Sequence, residues 1–473
     1  MTESRGRRWA LTGARSVTGA VVAGAAVLAV AVGIAAPWPQ VTREPVAVVA
    51  APTPADSVVA CDGAVLAAGR NSRSAVEVTV AAQPVPLVAA DDAQPVEDIE
   101  MASPDVQGLD GAPAFAAPPR DRIATGLAAA TSARIADEDL AGFTTDACRP
   151  PLFESWLVGG DTSTGTTGLV LLSNPGDVAA TVDLTVYGAA EPAVPPGGSG
   201  VTIPARTQRV ISLAGLAIGE ESPVLRITAT GAPVRASLQS SLVRTLVPGG
   251  LDQQSAIAAP DRLQAIPGVA VTSAPGAAGA SNPATIVRVL APTESGEATV
   301  TVTAVGSTAP VMAPSTIPVA AGSPTELELG SLAVGTYVVT VDATVPVVAA
   351  TWQTTGFGAG SDFAWYTSAP SLDSPALIAV PSGPSPFLQL SNPGDDTATV
   401  TLRAVSGGGA ERTIEVPAGG SAAIAVNART VWSIDPGEVG DVHAQVTFTG
   451  VGALAGMAVW PSDAAAAPVL VYP

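Results

Sequence analysis

Two stretches of the chain repeat each other and decide the class of fold: LVLLSNPGDVAATVDLTVYG at Leu169–Gly188 and FLQLSNPGDDTATVTLRAVS at Phe387–Ser406. Each begins with an apolar run, continues with Ser-Asn-Pro-Gly-Asp, and ends with apolar and polar residues in alternation. Proline presets φ at the second position of a tight turn, and glycine permits a positive φ at the third. Alternation with a period of two is typical of a strand with one buried face. The repeat therefore predicts two antiparallel strands joined by a tight turn.

A third, weaker copy is IVRVLAPTESGEATVTVTAVG at Ile286–Gly306, which aligns Val300 with Val182 and Val400. The copies recur about every 100 residues, the length of one β-sandwich domain. In each, a proline-led turn, a further strand and two closing strands follow. We predict a mainly β fold in which tandem immunoglobulin-like antiparallel β-sandwiches form an elongated body. Their expected ranges are 151–250, 262–357 and 375–473.

The N-terminus carries a membrane-targeting pattern. Residues 1–16 are basic, and residues 17–36 form an apolar run without a charge. Twenty helical residues span about 30 Å, the thickness of the hydrocarbon layer. The positive-inside rule then predicts a single-pass transmembrane signal anchor with a cytoplasmic N-terminus and an extracytoplasmic body. A cleaved signal peptide, which would release a secreted protein, is the alternative. Residues 37–60 are rich in Pro and Ala and predict an extended tether.

Residues 61–150 are enclosed by the only two cysteines, Cys61 and Cys148. In an exported chain this number favours one disulfide, and two unpaired thiols are the alternative. Within the region, Ser74–Pro86 alternates like a strand, and an acidic stretch at about 90–120 predicts a disordered loop. Ile123–Ala147 is rich in Ala and predicts a short helix. Whether the region forms a separate domain or lends strands to the first sandwich stays open.

The charge of the chain excludes one class of partner. The net charge is −20 and the sequence pI is about 4.3, so the body should repel nucleic acid and anionic headgroups. General solubility is one interpretation of this charge, and recognition of a cationic partner is the other.

No residue pattern predicts catalysis, a cofactor or a metal. The single histidine, His443, lies in a strand pattern, which favours a surface histidine over a catalytic one. The acids and amides of the repeated pentapeptides could suggest metal ligation, but the spacing does not match a calcium loop and the third copy lacks them. Turn residues are the preferred interpretation of these four positions: Asn174, Asp177, Asn392 and Asp395.

Aromatic residues supply the tentative ligand contacts. Trp365 and Tyr366 follow the loop-like sequence GAGSD, and an exposed pair there could stack on a sugar ring. Packing at a domain joint is the preferred interpretation of these aromatics, and ligand contact is the alternative.

The assembled features resemble a family of actinobacterial secreted or membrane-anchored proteins that is defined only as a domain of unknown function. The resemblance rests on the N-terminal span, the cysteine pair, ESWLVGG at Glu154–Gly160 and LSNPGD at Leu172–Asp177, and it covers most of residues 50–470. It implies no activity.

Three functions follow as hypotheses. The first is a non-enzymatic cell-envelope protein, an anchored extracytoplasmic β-rod that acts as a scaffold or partner-binding module. The second is an accessory protein that binds envelope carbohydrate, and the third is a glycan-active enzyme that uses a pair of carboxylates. The expected partners are an envelope protein or glycan and, through the N-terminal helix, the membrane. The oligomeric state stays open.

Overall fold

A computed structural model describes residues 4–35, 48–50, 54–70, 77–109, 111–120, 123–273, 285–330, 332–405, 410–462 and 469–471. The chain divides into two compact units, residues 1–51 with 468–473, and residues 52–467. Strands dominate the second unit. The mainly β character that the repeats predicted is confirmed.

The first unit contains one long helix and one pair of short strands. Helix α1 runs from Ser4 to Ala35 and includes most of the predicted anchor. Strand β1 (Val48–Ala50) pairs antiparallel with Val469–Val471. Within the described part of the chain, no helix combines the length and apolar character needed to cross a bilayer. Parts of the predicted basic tail, anchor and tether, residues 1–3, 36–47 and 51–53, lie outside the described residues.

The region between the cysteines contains β3 (Val65–Ala68), β4 (Val78–Ala82), β5 (Leu87–Ala90), β6 (Glu97–Ile99), β7 (Val106–Gln107), β8 (Ala114–Ala117), β9 (Leu127–Ala136) and β10 (Ala141–Ala147). The last residues of the predicted tether form β2 (Ser57–Ala60), which pairs with β8. Together these strands form three small sheets with the orders β2-β8-β6, β3-β4-β7 and β10-β9-β5. A 3-10 turn at Asp91–Ala93 follows β5. Part of the predicted strand at Ser74–Pro86 is β4, and residues 71–76 lie outside the described residues.

Two predictions for this region are wrong. The predicted helix at Ile123–Ala147 is the antiparallel pair β9 and β10. Alanine favours helices intrinsically, but tertiary packing overrides that preference, and Ala128, Ala129 and Ala130 are buried in β9. The acidic stretch is not a disordered loop, because β6 and β8 pair there and Phe115 is buried.

Three β-sandwiches follow. The first and the third each consist of two four-stranded sheets, and the second has seven strands, one of which takes part in both of its layers. The first contains β11 (Glu154–Val158), β12 (Thr166–Asn174), β13 (Ala180–Tyr187), β14 (Val201–Ile203), β15 (Thr207–Ser212), helix α2 (Leu213–Leu216), β16 (Val224–Thr230), β17 (Arg235–Arg244) and β18 (Val247–Ser255). The second contains β19 (Asp261–Val271), β20 (Thr285–Leu290), β21 (Gly296–Ala304), β22 (Ser315–Val319), β23 (Thr325–Glu328), β24 (Gly335–Thr354) and β25 (Phe363–Thr367). The third contains β26 (Ala376–Val380), β27 (Phe387–Asn392), β28 (Ala398–Ala404), β29 (Arg412–Val416), β30 (Gly420–Ala425), β31 (Thr430–Asp435), β32 (His443–Gly450) and β33 (Ala453–Ala458). The last strand, β34 (Val469–Val471), is the partner of β1.

All three sandwiches have the same strand order. If the strands of one sandwich are numbered one to eight, the two sheets read 1-6-3-4 and 5-2-7-8. In the second sandwich the single strand β24 serves as strands six and seven. Its first half pairs with β19 and β21, and its second half with β20 and β25. The two closing strands predicted for the third sandwich, at 444–450 and 453–461, are its strands seven and eight, and its sixth strand is β31.

The repeated alternation places the same residues in each core. Val182, Val300 and Val400 lie on the third strand of their sandwiches and are buried between the two sheets. On each of these strands, the polar residues that alternate with the buried ones face outward, as a half-buried strand requires. Burial of these valines is confirmed.

The sandwiches do not form the elongated row that the repeat spacing predicted. Their eighth strands meet one another and β10 at one buried place, which we call the junction. Asp362, at the start of β25, accepts backbone N–H bonds there from Phe143, Leu251 and Leu454. One carboxylate of the second sandwich thus forms hydrogen bonds to the cysteine-enclosed region and to both other sandwiches.

The two pentapeptide turns have a structural role. Asn174 is fully buried and donates from Nδ2 to the carbonyl oxygens of Val178, Ile203 and Pro204. Asn392 makes the equivalent three bonds in the third sandwich. The predicted positive φ at the turn glycines is wrong, since neither Gly176 nor Gly394 lies in that region. Each glycine instead donates its N–H to the Oδ1 atom of the asparagine, and a Cβ would crowd that atom.

We expect Asn174→Ala and Asn392→Ala each to lower the free energy of unfolding by about 2–3 kcal/mol, because buried carbonyls lose their donor. Chemical denaturation followed by fluorescence measures this loss. Asp177→Ala is the matched control, because this exposed turn acid makes only a surface ion pair with Arg206 and should cost less than about 1 kcal/mol. Equal losses in the asparagine and control variants would contradict the assigned role.

Candidate functional site

A cleft of about 450 Å³ opens between the first and second sandwiches, and we call it the aromatic cleft. The first sandwich contributes residues of β17 and of nearby segments: Ser240, Ser241, Leu242, Arg244, Gly160, Asp161, Ser163, Thr166 and Glu221. The second contributes one outer sheet face, where alternation along β20, β23, β24 and β25 points every second side chain toward the cleft. These residues are Ile286, Arg288, Glu326, Glu328, Trp352, Phe363 and Trp365.

The aromatic side chains form one wall of this cleft. Trp352 and Trp365 are direct partners on β24 and β25, and the rings of Trp352 and Phe363 lie 6.2 Å apart. Trp352 is half-buried, whereas Trp365 is 7% exposed. The indole of Trp352 is therefore the accessible platform of the wall.

The predicted exposed pair is only partly at this site. Trp365 lines the aromatic cleft, but it lies in a strand beneath the guanidinium of Arg288, 4.6 Å from the ring centroid. Tyr366 points to the opposite face and is fully buried in the core of the second sandwich. The interpretation of the pair as an exposed loop is wrong, because strand alternation separates neighbouring residues to opposite faces.

Arg288 connects the two sandwiches at the floor of the cleft. Its Nη1 donates to the carbonyl oxygens of Gly160 and Pro223, both at 2.9 Å, and its Nε donates to Glu326 at 2.8 Å. Burial lowers the pKa of Arg288, and the carboxylate of Glu326 acts in the opposite direction. These bonds to the first sandwich fix the width of the cleft.

Polar groups on the walls can bind hydroxyl groups. The Oγ atom of Ser240 is buried and has no hydrogen-bond partner. The side chain of Glu328 is exposed, and Arg244 stacks 4.5 Å from the ring centroid of Phe357. The cleft thus combines an indole face with donors and acceptors. Trp352, Arg288 and Ser240 were missed as site residues, although an arginine inside the apolar run IVRVL was a visible signal.

A second polar cluster lies where the cysteine-enclosed region meets the first sandwich. The predicted disulfide between Cys61 and Cys148 is confirmed. Arg235 on β17 donates one guanidinium nitrogen to Asp62 and another to Asp146, and all three are buried. Burial raises the pKa of Asp146 to about 7, although Arg235 opposes this. We call these three residues the buried ion triplet.

The junction contains a further pair of buried acids. Asp252 on β18 accepts the N–H of Trp365 at 2.9 Å. Burial raises the pKa of Asp252 to about 7, against the backbone bonds that lower it. Burial also raises the pKa of Asp362 well above its ordinary value. Both acids join modules through backbone N–H groups, so their first role is structural.

The remaining predicted site residues have structural surroundings. His443 is buried in β32, not at the surface, and its Nδ1 lies 2.7 Å from the carbonyl oxygen of Ala369. Its Nε2 lies 3.3 Å from Asp441. Among the described residues, the one group of side chains close enough to hold a metal is Cys61, Asp146 and Cys148, whose two sulfurs are bonded to each other.

Comparison with known families identifies the chain. A family model described as DUF5719, a family of unknown function, matches residues 105–427. The chain belongs to the DUF5719 family. Searches of the curated proteins and of the solved structures found no significant match.

The matched part of this DUF5719 protein includes the whole aromatic cleft and most of the junction. It starts within the cysteine-enclosed region and stops before β31. Asp62 of the buried ion triplet and Leu454 of the junction therefore lie outside the family match.

Proposed function

We propose that this DUF5719 protein is a non-enzymatic, partner-binding protein of the cell envelope, and that the aromatic cleft binds a saccharide of its partner. The observation that carries the proposal is the half-buried indole of Trp352 within a concave site that is also lined by hydroxyl and charged side chains. Sugars present flat C–H faces that pack on an indole and hydroxyl groups that need donors and acceptors. The basic residues 1–16 and the apolar run at residues 17–36 support placement at a membrane with the β body outside.

The cleft is suited to binding because its walls are fixed before a ligand arrives. Arg288 ties both sandwiches through three backbone carbonyls, and the acids of the junction hold the same two modules from behind. A preformed site loses little ordering entropy when it binds. This supports a scaffold role with ligand recognition.

We further propose that the three sandwiches are immunoglobulin-like. In such folds, one sheet contains the strand order E-B-A, and the other contains the order C′-C-F-G. Here strands 5-2-7 and 4-3-6-1 have the same neighbours, with the first strand in the place of G and the seventh in the place of A.

Binding to isolated cell-wall sacculi, stripped of protein, and to soluble wall oligosaccharides tests the proposal. We expect the full-length protein to bind both and Trp352→Ala to weaken the soluble interaction about tenfold, the loss of one stacking platform. Phe387→Ala is the matched control, since this exposed aromatic on β27 lies outside the cleft. It should bind like the wild type.

Three results would overturn the proposal. Binding to no glycan would remove the saccharide ligand and leave a protein partner to be found by cross-linking. Equal losses in both variants would remove the cleft as the site. Release of shortened glycan products would favour the carboxylate-pair enzyme instead, and acid variants would then be assayed for turnover.

A further inference from the structure

A larger groove of about 520 Å³ lies on another part of the second unit, and we call it the apolar groove. Its walls come from the cysteine-enclosed region, from turns of the first sandwich and from the third sandwich. Most lining side chains are aliphatic, aromatic or proline, including Leu127, Phe153, Ile378, Met457 and Trp460. Phe153 is 57% exposed at the rim.

One cation stands in this apolar wall. Arg149 follows the disulfide directly, and its backbone pairs with Ala60 through two bonds of 2.9 Å. Its guanidinium stacks 5.0 Å from the ring centroid of Trp460, inside the groove. The Nε and Nη2 atoms are buried and have no hydrogen-bond partner. Buried donors in folded proteins nearly always have an acceptor, so these two mark an unfilled place.

Among the described residues, no acid fills that place. Asp146 is the acid that attracts Arg149, but its oxygens already accept from Arg235 and from the N–H of Asp62. Burial and the charge of Arg235 lower the pKa of Arg149 to about 9. An anion from outside would accept hydrogen bonds from the free donors.

We propose that the apolar groove binds an aliphatic carboxylate. The carboxylate group would accept hydrogen bonds from the guanidinium of Arg149, and the hydrocarbon tail would lie along the apolar walls. One unpaired cation matches one anionic end, and the exposed acid at the rim, Asp56, disfavours a second negative charge. The volume lies within the range of small-ligand sites. A peptide fits less well, because its amides would meet mainly apolar side chains and lose hydrogen bonds with water.

Titration of the full-length protein with decanoate and with decanol, each below its aggregation concentration, tests this inference. Because hydrogen bonds to charged groups contribute about 1.5–3 kcal/mol, the wild type should bind decanoate about 10- to 100-fold more tightly than decanol. Arg149→Met should remove this preference. Binding should also tighten about fourfold per methylene from octanoate to decanoate, the factor for burial of one CH₂.

Two controls separate ligand binding from other effects. Arg226→Met removes an arginine that stacks on another tryptophan, 5.5 Å from the ring centroid of Trp156, and it should keep the preference. Arg149→Lys retains a cation and should keep part of it, which covers the case in which the Met variant does not fold. Uptake into lipid or detergent is common to all variants and does not change the comparison.

The inference fails if Arg149→Met weakens decanoate and decanol equally, since Arg149 would then be only structural. It also fails if inorganic phosphate competes as well as decanoate does, or if an apolar peptide with a free C-terminus binds and decanoate does not. None of these results bears on the aromatic cleft, because the two sites share no lining residue.

Discussion

Arg235→Met should lower the free energy of unfolding by about 3–5 kcal/mol, the cost of breaking a buried ion pair from one side. The substitution preserves much of the side-chain volume but leaves the carboxylates of Asp62 and Asp146 buried without their cation. The loss should be close to the upper end of that range because two acids share the one arginine. Chemical denaturation followed by fluorescence measures it.

Arg226→Met is the matched control for this prediction. Arg226 lies in the same sandwich and pairs with Glu154, but both side chains are about 40% exposed. The control should cost less than about 1 kcal/mol. Adding Asp62→Asn and Asp146→Asn to Arg235→Met should recover part of the loss. A cost for Arg235→Met no larger than that of the control would show that the triplet does not stabilise the fold.

The protein should be less stable at pH 8 than at pH 5. Burial raises the pKa of Asp252 from 3.8 to about 7 in the folded state. Between these values the unfolded chain has released the proton and the folded chain still holds it, so the unfolded state binds fewer protons. The contribution of Asp252 to the free energy of unfolding is therefore fully present below about pH 4. It falls by about 1.4 kcal/mol per pH unit until about pH 7. From pH 5 to pH 8 this amounts to about 3 kcal/mol.

Asp252→Asn should flatten this dependence, because an amide retains an acceptor for the N–H of Trp365 and does not ionise. Asp342→Asn, at an exposed position of β24, should leave the dependence unchanged. Denaturation midpoints at the two pH values measure both variants. A wild-type protein that gains stability from pH 5 to pH 8 would show that the backbone donors outweigh burial at the junction. Asp362 and Asp146 shift in the same direction, so some dependence should remain in Asp252→Asn.

The sequence predicted those features that repeat with the local period of a strand. The alternation around Val182, Val300 and Val400 placed all three correctly in buried cores, and two cysteines in a chain that was expected to be exported predicted one disulfide. These signals are local or involve only one possible pair. They required no knowledge of which distant segments meet.

The features that failed depend on contacts between distant segments. Asp362 lies in a stretch that resembles a polar loop, yet it is buried because Phe143, Leu251 and Leu454 supply its donors from three other modules. The Ala-rich pair β9 and β10 forms strands for a similar reason, because its small side chains pack beneath other modules. Nothing in the spacing of Asp62, Asp146 and Arg235 shows that they meet.

The meeting of the three eighth strands at the junction limits how this protein can have evolved. Solenoid repeats contact only their neighbours, so copies can be gained or lost from the array. Here the identical strand order of the sandwiches is what repeated duplication of one ancestral gene segment would produce. Each copy has since become a wall of the same interior. Loss of one sandwich would remove one wall of that interior and expose residues that are now buried, such as Asp362.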